Sequence, residues 1–316
     1  MNIKIISKIE YNGKTLDTLI ALCPAGLAGI YFFGFRAFIL IATCAAACIL
    51  FEYLWNTFVL KSTGASLEAV VTGLILAYSL PAKTPVWLAL IGSFVAIILI
   101  KCMYEKPFVN PAFAGKAFIA AAFGGYAGAF LSPSILGLDS VEALTPLMVI
   151  KYGSISTTPS LLDVFMGNAA GSVGQVCALL ILVGGAYLML KKVISWIIPV
   201  CFIGTVAVIT FAFAPDKNIL SMLNFAGCNV LSGGVLFGAL FVLADEDMCP
   251  STTLGKIISG IFAGVVTSCI RLFGLFPDGS VHAILLTNIL NPVIDKLTLP
   301  MPEEITQIKE IGNVLR

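Results

Sequence analysis

Long apolar runs alternate with short polar breaks along this chain, and the runs have the length of membrane helices. A spanning helix needs about 20 mostly apolar residues. Ten stretches are candidates, near residues 17–35, 36–60, 67–82, 85–101, 109–131, 172–190, 194–213, 226–245, 253–270 and 279–297. The third and the eighth are short or interrupted, and each leads through a Pro-containing turn, at Pro81 and at Pro250, into the next helix. The pattern predicts an all-α integral membrane protein of about ten transmembrane helices.

The two interrupted stretches look alike. Val71-Thr72-Gly73-Leu74-Ile75-Leu76-Ala77 precedes Pro81, and Leu231-Ser232-Gly233-Gly234-Val235-Leu236-Phe237-Gly238 precedes Pro250. Asn110-Pro111 opens the last run of the first half, and Asn291-Pro292 falls near the end of the second. Five spans per half is an odd number, so the halves are expected to run in opposite senses. Inverted repeats with interrupted helices in matching positions place a binding site near the bilayer midplane. The expected division is a polar segment 1–16, a five-helix repeat 17–131, a connection 132–171, a second repeat 172–297 and a tail 298–316.

Basic residues orient this scheme. Lys4, Lys8, Lys14, Lys61, Lys101, Lys106, Lys191, Lys192, Lys296, Lys309 and Arg316 fall on one side, against Arg36, Lys83, Lys151, Lys217 and Arg271 on the other. Lys116 and Lys256 sit within or at the edge of spans. Lys and Arg concentrate on the cytoplasmic side, so both termini are expected in the cytoplasm of a prokaryotic cell and the 132–171 connection outside. The first sixteen residues lack the apolar core and cleavage site of a signal peptide. A connection of nearly forty residues is too long for a plain linker, and such loops tend to be functional.

Composition agrees and narrows the function. Of 316 residues 59% are hydrophobic and 11% charged, where soluble domains carry about 25% charged; lipid must therefore face much of the surface. A net charge of +1 argues against a nucleic-acid partner, because there is no basic excess to release counterions. Nine scattered cysteines form no CxxC pair, which fits small packing residues better than a metal or redox site. No P-loop, Rossmann fingerprint, Ser-His-Asp set or metal motif is legible, so hydrolysis or direct NADH oxidation by this chain is not expected. Acids within or bordering spans are costly and are functional candidates. Glu52, Glu68 and Asp245 are the candidates for a cation pathway, the latter two flanking the interrupted stretches. Arg271, Asp278 and His282 suggest a helix-end ion pair.

In order along the chain stand Leu19-Ile20-Ala21-Leu22-Cys23-Pro24-Ala25, Tyr31-Phe32-Phe33-Gly34-Phe35-Arg36-Ala37, Thr72-Gly73-Leu74 to Leu80-Pro81, Pro85-Val86-Trp87 and Asn110-Pro111-Ala112. Gly184-Gly185-Ala186-Tyr187-Leu188, Leu231-Ser232-Gly233-Gly234, Arg271-Leu272-Phe273-Gly274 and Ala283-Ile284-Leu285-Leu286 follow. By this succession the chain resembles the D subunits of Rnf electron-transport complexes, a family related to the NqrB component of the sodium-pumping NADH:quinone reductase. The resemblance implies two inverted five-helix repeats, as in urea transporters. It implies electron transfer coupled to sodium or proton movement, with Rnf-type subunits A, B, C, E and G as partners. It further implies FMN joined through its phosphate to an outer threonine by a flavin transferase, and a second, non-covalent riboflavin.

The family's attachment pattern runs from an Asp through Ser/Thr, Gly and Ala to the modified Thr. Here it maps onto Asp139-Ser140-Val141-Glu142-Ala143-Leu144-Thr145, followed by Pro146-Leu147. Asp139 and Thr145 keep their places, while Glu142, Ala143 and Leu144 depart. Glu142 is expected to bring a like charge beside the phosphate, and Ala143 resists backbone angles that Gly allows. Thr157 and Thr158 are alternative acceptors, and Asp163 and Lys151 are either tuning groups or surface charges. The glycine-rich stretch expected before Asn110 is shortened to Glu105-Lys106-Pro107-Phe108-Val109, and the Asp-Pro expected after the eighth span reads Asp245-Glu246-Asp247. Two other readings stay open: a small-solute channel on the same architecture, and a flavin-free scaffold subunit.

Overall fold

The computed structural model describes residues 13–62, 64–104, 107–138, 141–153 and 160–299, which form helices, two isolated β-bridges and no strand. A helix lies in each of the ten apolar stretches. In the first half these are α1 (Gly13–Phe33), α2 (Phe35–Phe58), α3 (Leu67–Ser79), α4 (Val86–Cys102) and α5 (Pro111–Ala122). A one-turn α6 (Gly124–Ala127), α7 (Pro146–Tyr152) and α8 (Leu161–Met166) lie in the connection. The second half holds α9 (Ala178–Leu190), α10 (Ile197–Ala212), α11 (Ile219–Leu231), α12 (Val235–Leu243), α13 (Thr253–Phe273) and α14 (Ser280–Thr298).

Helices α1, α2 and α13 are long and apolar enough to cross a membrane alone, and α11 with α12 would make a fourth span bent by 51°. The apolar α3, α4, α5, α9 and α10 are shorter. The fifth stretch, expected to reach 131, is helical only to Ala122 before the turn of α6, and the eighth begins at Ile219 instead of near 226. The surface carries Leu27 at 67%, Phe35 at 72% and Val208 at 68% exposure. Apolar side chains so open on a bundle this hydrophobic face lipid, which makes the chain a multi-pass membrane protein.

Between helices in lipid the attraction comes from close packing, so small residues mark the crossings. A Cβ at Gly73 would stand 2.8 Å from the Cys44 carbonyl oxygen of α2, and one at Gly29 would stand 2.5 Å from the Val173 carbonyl oxygen. Tyr78 is held between two glycines: a Cβ at Gly26 would meet its ring at 2.8 Å and one at Gly174 would meet its Cγ at 2.5 Å.

Charged groups sort to two ends of the bundle. At the near end, where the chain enters α1, Lys14 pairs with Glu246, Tyr187 donates to Asp17 at 2.7 Å, and Lys101 stands 3.3 Å from both Glu52 and Glu68. At the far end Lys83 pairs with Glu142, and Arg271 lies 2.9 Å from Asp278.

Both interruptions are closed by groups distant in sequence, as lipid demands of any open backbone. Helix α3 stops at Ser79 before Pro81, and its free carbonyls are met by the segment before α9: Gly174 N–H donates to Tyr78 and Val173 N–H to Leu80, each at 3.0 Å. The break between α11 and α12 has Gly233 at φ +70°, a left-handed position that favours glycine. Charged side chains close it. Arg271 donates to the Asn229 carbonyl and, at 3.3 Å, to that of Ser232, while Asp278 accepts from Gly234 N–H at 3.0 Å. The two Asn-Pro pairs differ in role. Asn110 caps α5 by accepting from Phe113 N–H at 3.2 Å, with Pro111 at the first helical position. Asn291 is buried inside α14, accepts from Ser259 at 2.9 Å and donates to the Met248 carbonyl at 2.7 Å.

Candidate functional site

Two cavities open at opposite ends of the bundle, and three helices run from one to the other. The far cavity, of about 380 Å³, is lined among others by Leu80, Lys116, Thr145, Gln175, Ser232 and Asp278. The near cavity, of about 570 Å³, is lined by Glu68, Lys101, Asn110, Leu240, Asp245 and others. Along α3, α5 and α12 the residues between these linings include Tyr78, Phe113 and Phe237, all buried. Phe237 packs 6.2 Å from Tyr78 and 5.2 Å from Phe241 between ring centres.

Thr145 sits at the far cavity as the N-cap of α7, with φ −68° and ψ 157°; its Oγ accepts from Met148 N–H at 3.3 Å and Pro146 occupies the first helical position. The departures around it take on a different meaning once placed. Glu142 is matched by Lys83, so its charge is compensated from the turn after α3. Leu131 and Glu142 form an antiparallel bridge and Ala143 N–H donates to the Phe130 carbonyl at 3.1 Å. Positive φ among the described non-glycine residues occurs at Lys61, Leu136 and Lys192, so Ala143 needs no glycine-like freedom. Leu144 is 59% exposed and points away from the packed interior. Asp139, Thr157 and Thr158 lie outside the described residues.

The other loop groups make local contacts with helix ends. Asp163 faces Ser160, whose hydroxyl donates to its Oδ2 at 2.6 Å and accepts from its N–H at 3.1 Å, a cap for α8. Lys151 donates to the carbonyls of Ile270, Arg271 and Phe276 at 3.2, 3.1 and 2.9 Å, closing the end of α13. Its ammonium is held below the ordinary lysine range by burial.

Of the acids singled out in the sequence, Glu68 and Asp245 share the near cavity. Glu52 stands behind them, 8% exposed, accepting from Ser66 at 2.9 Å and paired with Lys101. Asp245, just past the end of α12, has its carboxyl pushed up to about 6 by burial, with the charges of Asp247, Glu68 and Glu246 adding to the shift. At the far end Arg271 and Asp278 form the expected ion pair, and His282 stacks on Phe276 at 5.0 Å. Burial alone would raise the Asp278 carboxyl; Arg271 and Lys116 outweigh it and hold the group well below the usual carboxylate range. Lys116 and Gln175 as cavity groups were missed in the sequence, where a lysine inside an apolar helix was the available signal.

The chain is thus a multi-pass membrane bundle with a cavity at each end, polar groups lining both and buried aromatic side chains between them. The family can be stated more closely. The model of the NQR2, RnfD, RnfE family matches residues 4–303, and the chain belongs to that family. It is similar to the D subunit of the Na(+)-translocating ferredoxin:NAD(+) oxidoreductase complex of Acetobacterium woodii, at 35% identity over 93% of this chain and 91% of that one. It is also similar to the D subunit of the proton-translocating ferredoxin:NAD(+) oxidoreductase complex of Clostridium ljungdahlii, at 35% identity over 94% and 91%. The D subunit of the ion-translocating oxidoreductase complex of Escherichia coli matches at 30% identity over 90% and 92%.

Proposed function

We propose that this chain is the D-type membrane subunit of an Rnf-type ion-translocating ferredoxin:NAD oxidoreductase, holding an FMN joined through its phosphate to Thr145. The observation that carries the reading is Thr145 at the wall of a far-end cavity of about 380 Å³, a volume within the roughly 300–1,000 Å³ of small-molecule sites. The residues fit such a group. Phe130, Leu147 and Phe276 supply apolar walls, and Gln175 Nε2 and Ser232 Oγ are buried polar atoms without a partner. FMN would supply one-electron chemistry, and the protein would supply position and polarity.

On this reading the ten helices are ten spans in two inverted repeats, with the near end and both termini cytoplasmic and the 132–171 connection outside. Subunits A, B, C, E and G of the complex are its partners, and a flavin transferase installs the FMN. The near cavity has room for a non-covalent riboflavin. With Glu68 and Asp245 at its wall, it is also where a cation would enter, and Glu52 holds Lys101 in place beside it. Mass spectrometry of the peptide containing Thr145, from the complex purified from its native cell, tests the proposal. A flavin-phosphate mass on Thr145 supports it; an unmodified peptide from the intact complex sinks it and leaves the scaffold reading.

The opposed cavities favour one alternative, a small-solute channel. Solute flux through the purified, colourless chain in liposomes would establish that function instead.

A further inference from the structure

The far cavity carries an unbalanced positive charge. Arg271 is 2% exposed at its side chain and bonded to Asp278, whose carboxylate accepts from Arg271 at 2.9 Å, from Gly234 N–H at 3.0 Å and from Ser280 N–H at 3.2 Å. Lys116 lines the same cavity from α5 and feels the Asp278 charge, yet no hydrogen bond or ion pair joins its ammonium to any described residue. Its nearest aromatic partner is the Phe113 ring, 6.0 Å from Nζ. Two cations therefore stand against one anion in an apolar-walled pocket. Lys116 is partly buried among apolar walls, where an ammonium without a hydrogen-bonded partner is costly, and an anion or strong acceptor entering the cavity would offset that cost. Gln175 and Ser232, each 4% exposed, line the same cavity, and Gln175 Nε2 and Ser232 Oγ are buried without a hydrogen-bond partner.

We propose that Lys116, with Gln175, holds the dione edge of the ring of the FMN at Thr145 and compensates the negative charge that reduction places there. The inference rests on the flavin reading above and names the residues that set the potential of that flavin. With FMN bound, an electron arriving from a one-electron donor on a neighbouring subunit would add one negative charge to the ring without any bond forming or breaking, and the Lys116 ammonium would stand beside that charge. Lys116 thus acts as an electrostatic partner that binds the reduced ring more tightly than the oxidised one. Gln175 is a neutral donor and adds position without charge.

The test compares wild type with Lys116→Met and Lys116→Arg in the purified complex, by spectroelectrochemical titration with dithionite as reductant. Lys116→Met is expected to weaken binding of the reduced relative to the oxidised ring about tenfold, which lowers the potential by about 59 mV for a one-electron couple. Covalent flavin content should stay at the wild-type level, and Lys116→Arg should restore most of the shift. A second measurement needs no covalent flavin: binding of added oxidised FMN and of dithionite-reduced FMN to the Thr145→Ala chain, with and without Lys116→Met. A loss of affinity about tenfold larger for reduced than for oxidised FMN in the double variant supports the proposal. An unchanged potential in flavin-loaded Lys116→Met overturns it and leaves the flavin at Thr145 standing. If wild-type Thr145 proves unmodified, the flavin reading fails separately. FMN binding to the Thr145→Ala chain then decides the role of Lys116, and equal affinity with and without the lysine overturns it.

Discussion

Arg271 and Asp278, 2.9 Å apart, hold the two sides of one break in a helix. The guanidinium takes the carbonyls that end α11, at Asn229 and Ser232, and the carboxylate takes the N–H of Gly234 that begins α12. The same carboxylate accepts from Ser280 at the start of α14. The pair therefore ties three helix ends at the floor of the far cavity.

Removing one partner strands a buried charge and two open carbonyls. Arg271→Met is expected to cost about 3–5 kcal/mol of stability, the usual penalty for breaking a buried pair from one side. Arg271→Lys should recover little, because one ammonium cannot reproduce the planar fork that serves several acceptors at once. The double variant Arg271→Met/Asp278→Asn should be less destabilised than Arg271→Met alone. Thermal unfolding of the purified chain in detergent measures these three and Asp278→Asn alone. A double variant destabilised by the sum of its two singles or more would show that the two do not act as a pair.

The α3 break depends on packing instead of charge. Gly174→Ala would drive a Cβ into the Tyr78 ring at 2.5 Å while Gly174 N–H is bonded to the Tyr78 carbonyl. Overpacking of this kind costs about 1–3 kcal/mol. The Tyr78 Cβ is the nearest atom to the added methyl, so Tyr78→Gly, and not Tyr78→Ala, in the Gly174→Ala background should remove the clash, and that second change should cost less there than in wild type. Melting temperatures of the four chains close that cycle.

Around Thr145 the altered motif is expected to be harmless to attachment. Glu142 is paired with Lys83, Ala143 needs no positive φ and Leu144 faces outward. Restoring the family pattern with Glu142→Ser, Ala143→Gly and Leu144→Ala should leave flavin occupancy unchanged. Thr145→Val should abolish it. The Glu142–Lys83 pair is exposed, so losing it should change stability by no more than about 1 kcal/mol. In-gel flavin fluorescence and the mass of the Thr145 peptide report the outcome.

Much of the helical plan was legible, because each run of apolar residues long enough for lipid is marked by its own length. The weak points were legible too, since Pro81 and Ser232-Gly233-Gly234 cannot continue a helix unaided. What closes those points was not. Gly174 meets Tyr78 across 96 residues and Arg271 meets Asn229 across 42, and local pattern carries no trace of either contact. The pairing of Glu142 with Lys83 was not legible for the same reason, as Lys83 lies in a different turn. Lys116 was visible as a charge within a span, but that it shares one cavity and one carboxylate with Arg271 emerges only from the fold.

Asp245 gives a pH signature at the near end. Its carboxyl is raised from the ordinary 3.8 to about 6, chiefly by burial. The folded chain therefore binds a proton more tightly than the unfolded one, and stability falls as pH rises between those values. Below about pH 4 the group is protonated in both states and imposes no penalty; above about pH 6 the folded state carries a buried carboxylate and the full penalty applies. At about 1.4 kcal/mol per pKa unit, that penalty at pH 7 is on the order of 1–3 kcal/mol. Asp245→Asn should remove it, so the variant should be more stable than wild type at pH 7 and equal to it near pH 4. Unfolding curves in detergent at pH 4, 5, 6 and 7 make the comparison. A gain that is the same at every pH would assign the effect to shape or hydrogen bonding and not to the Asp245 charge.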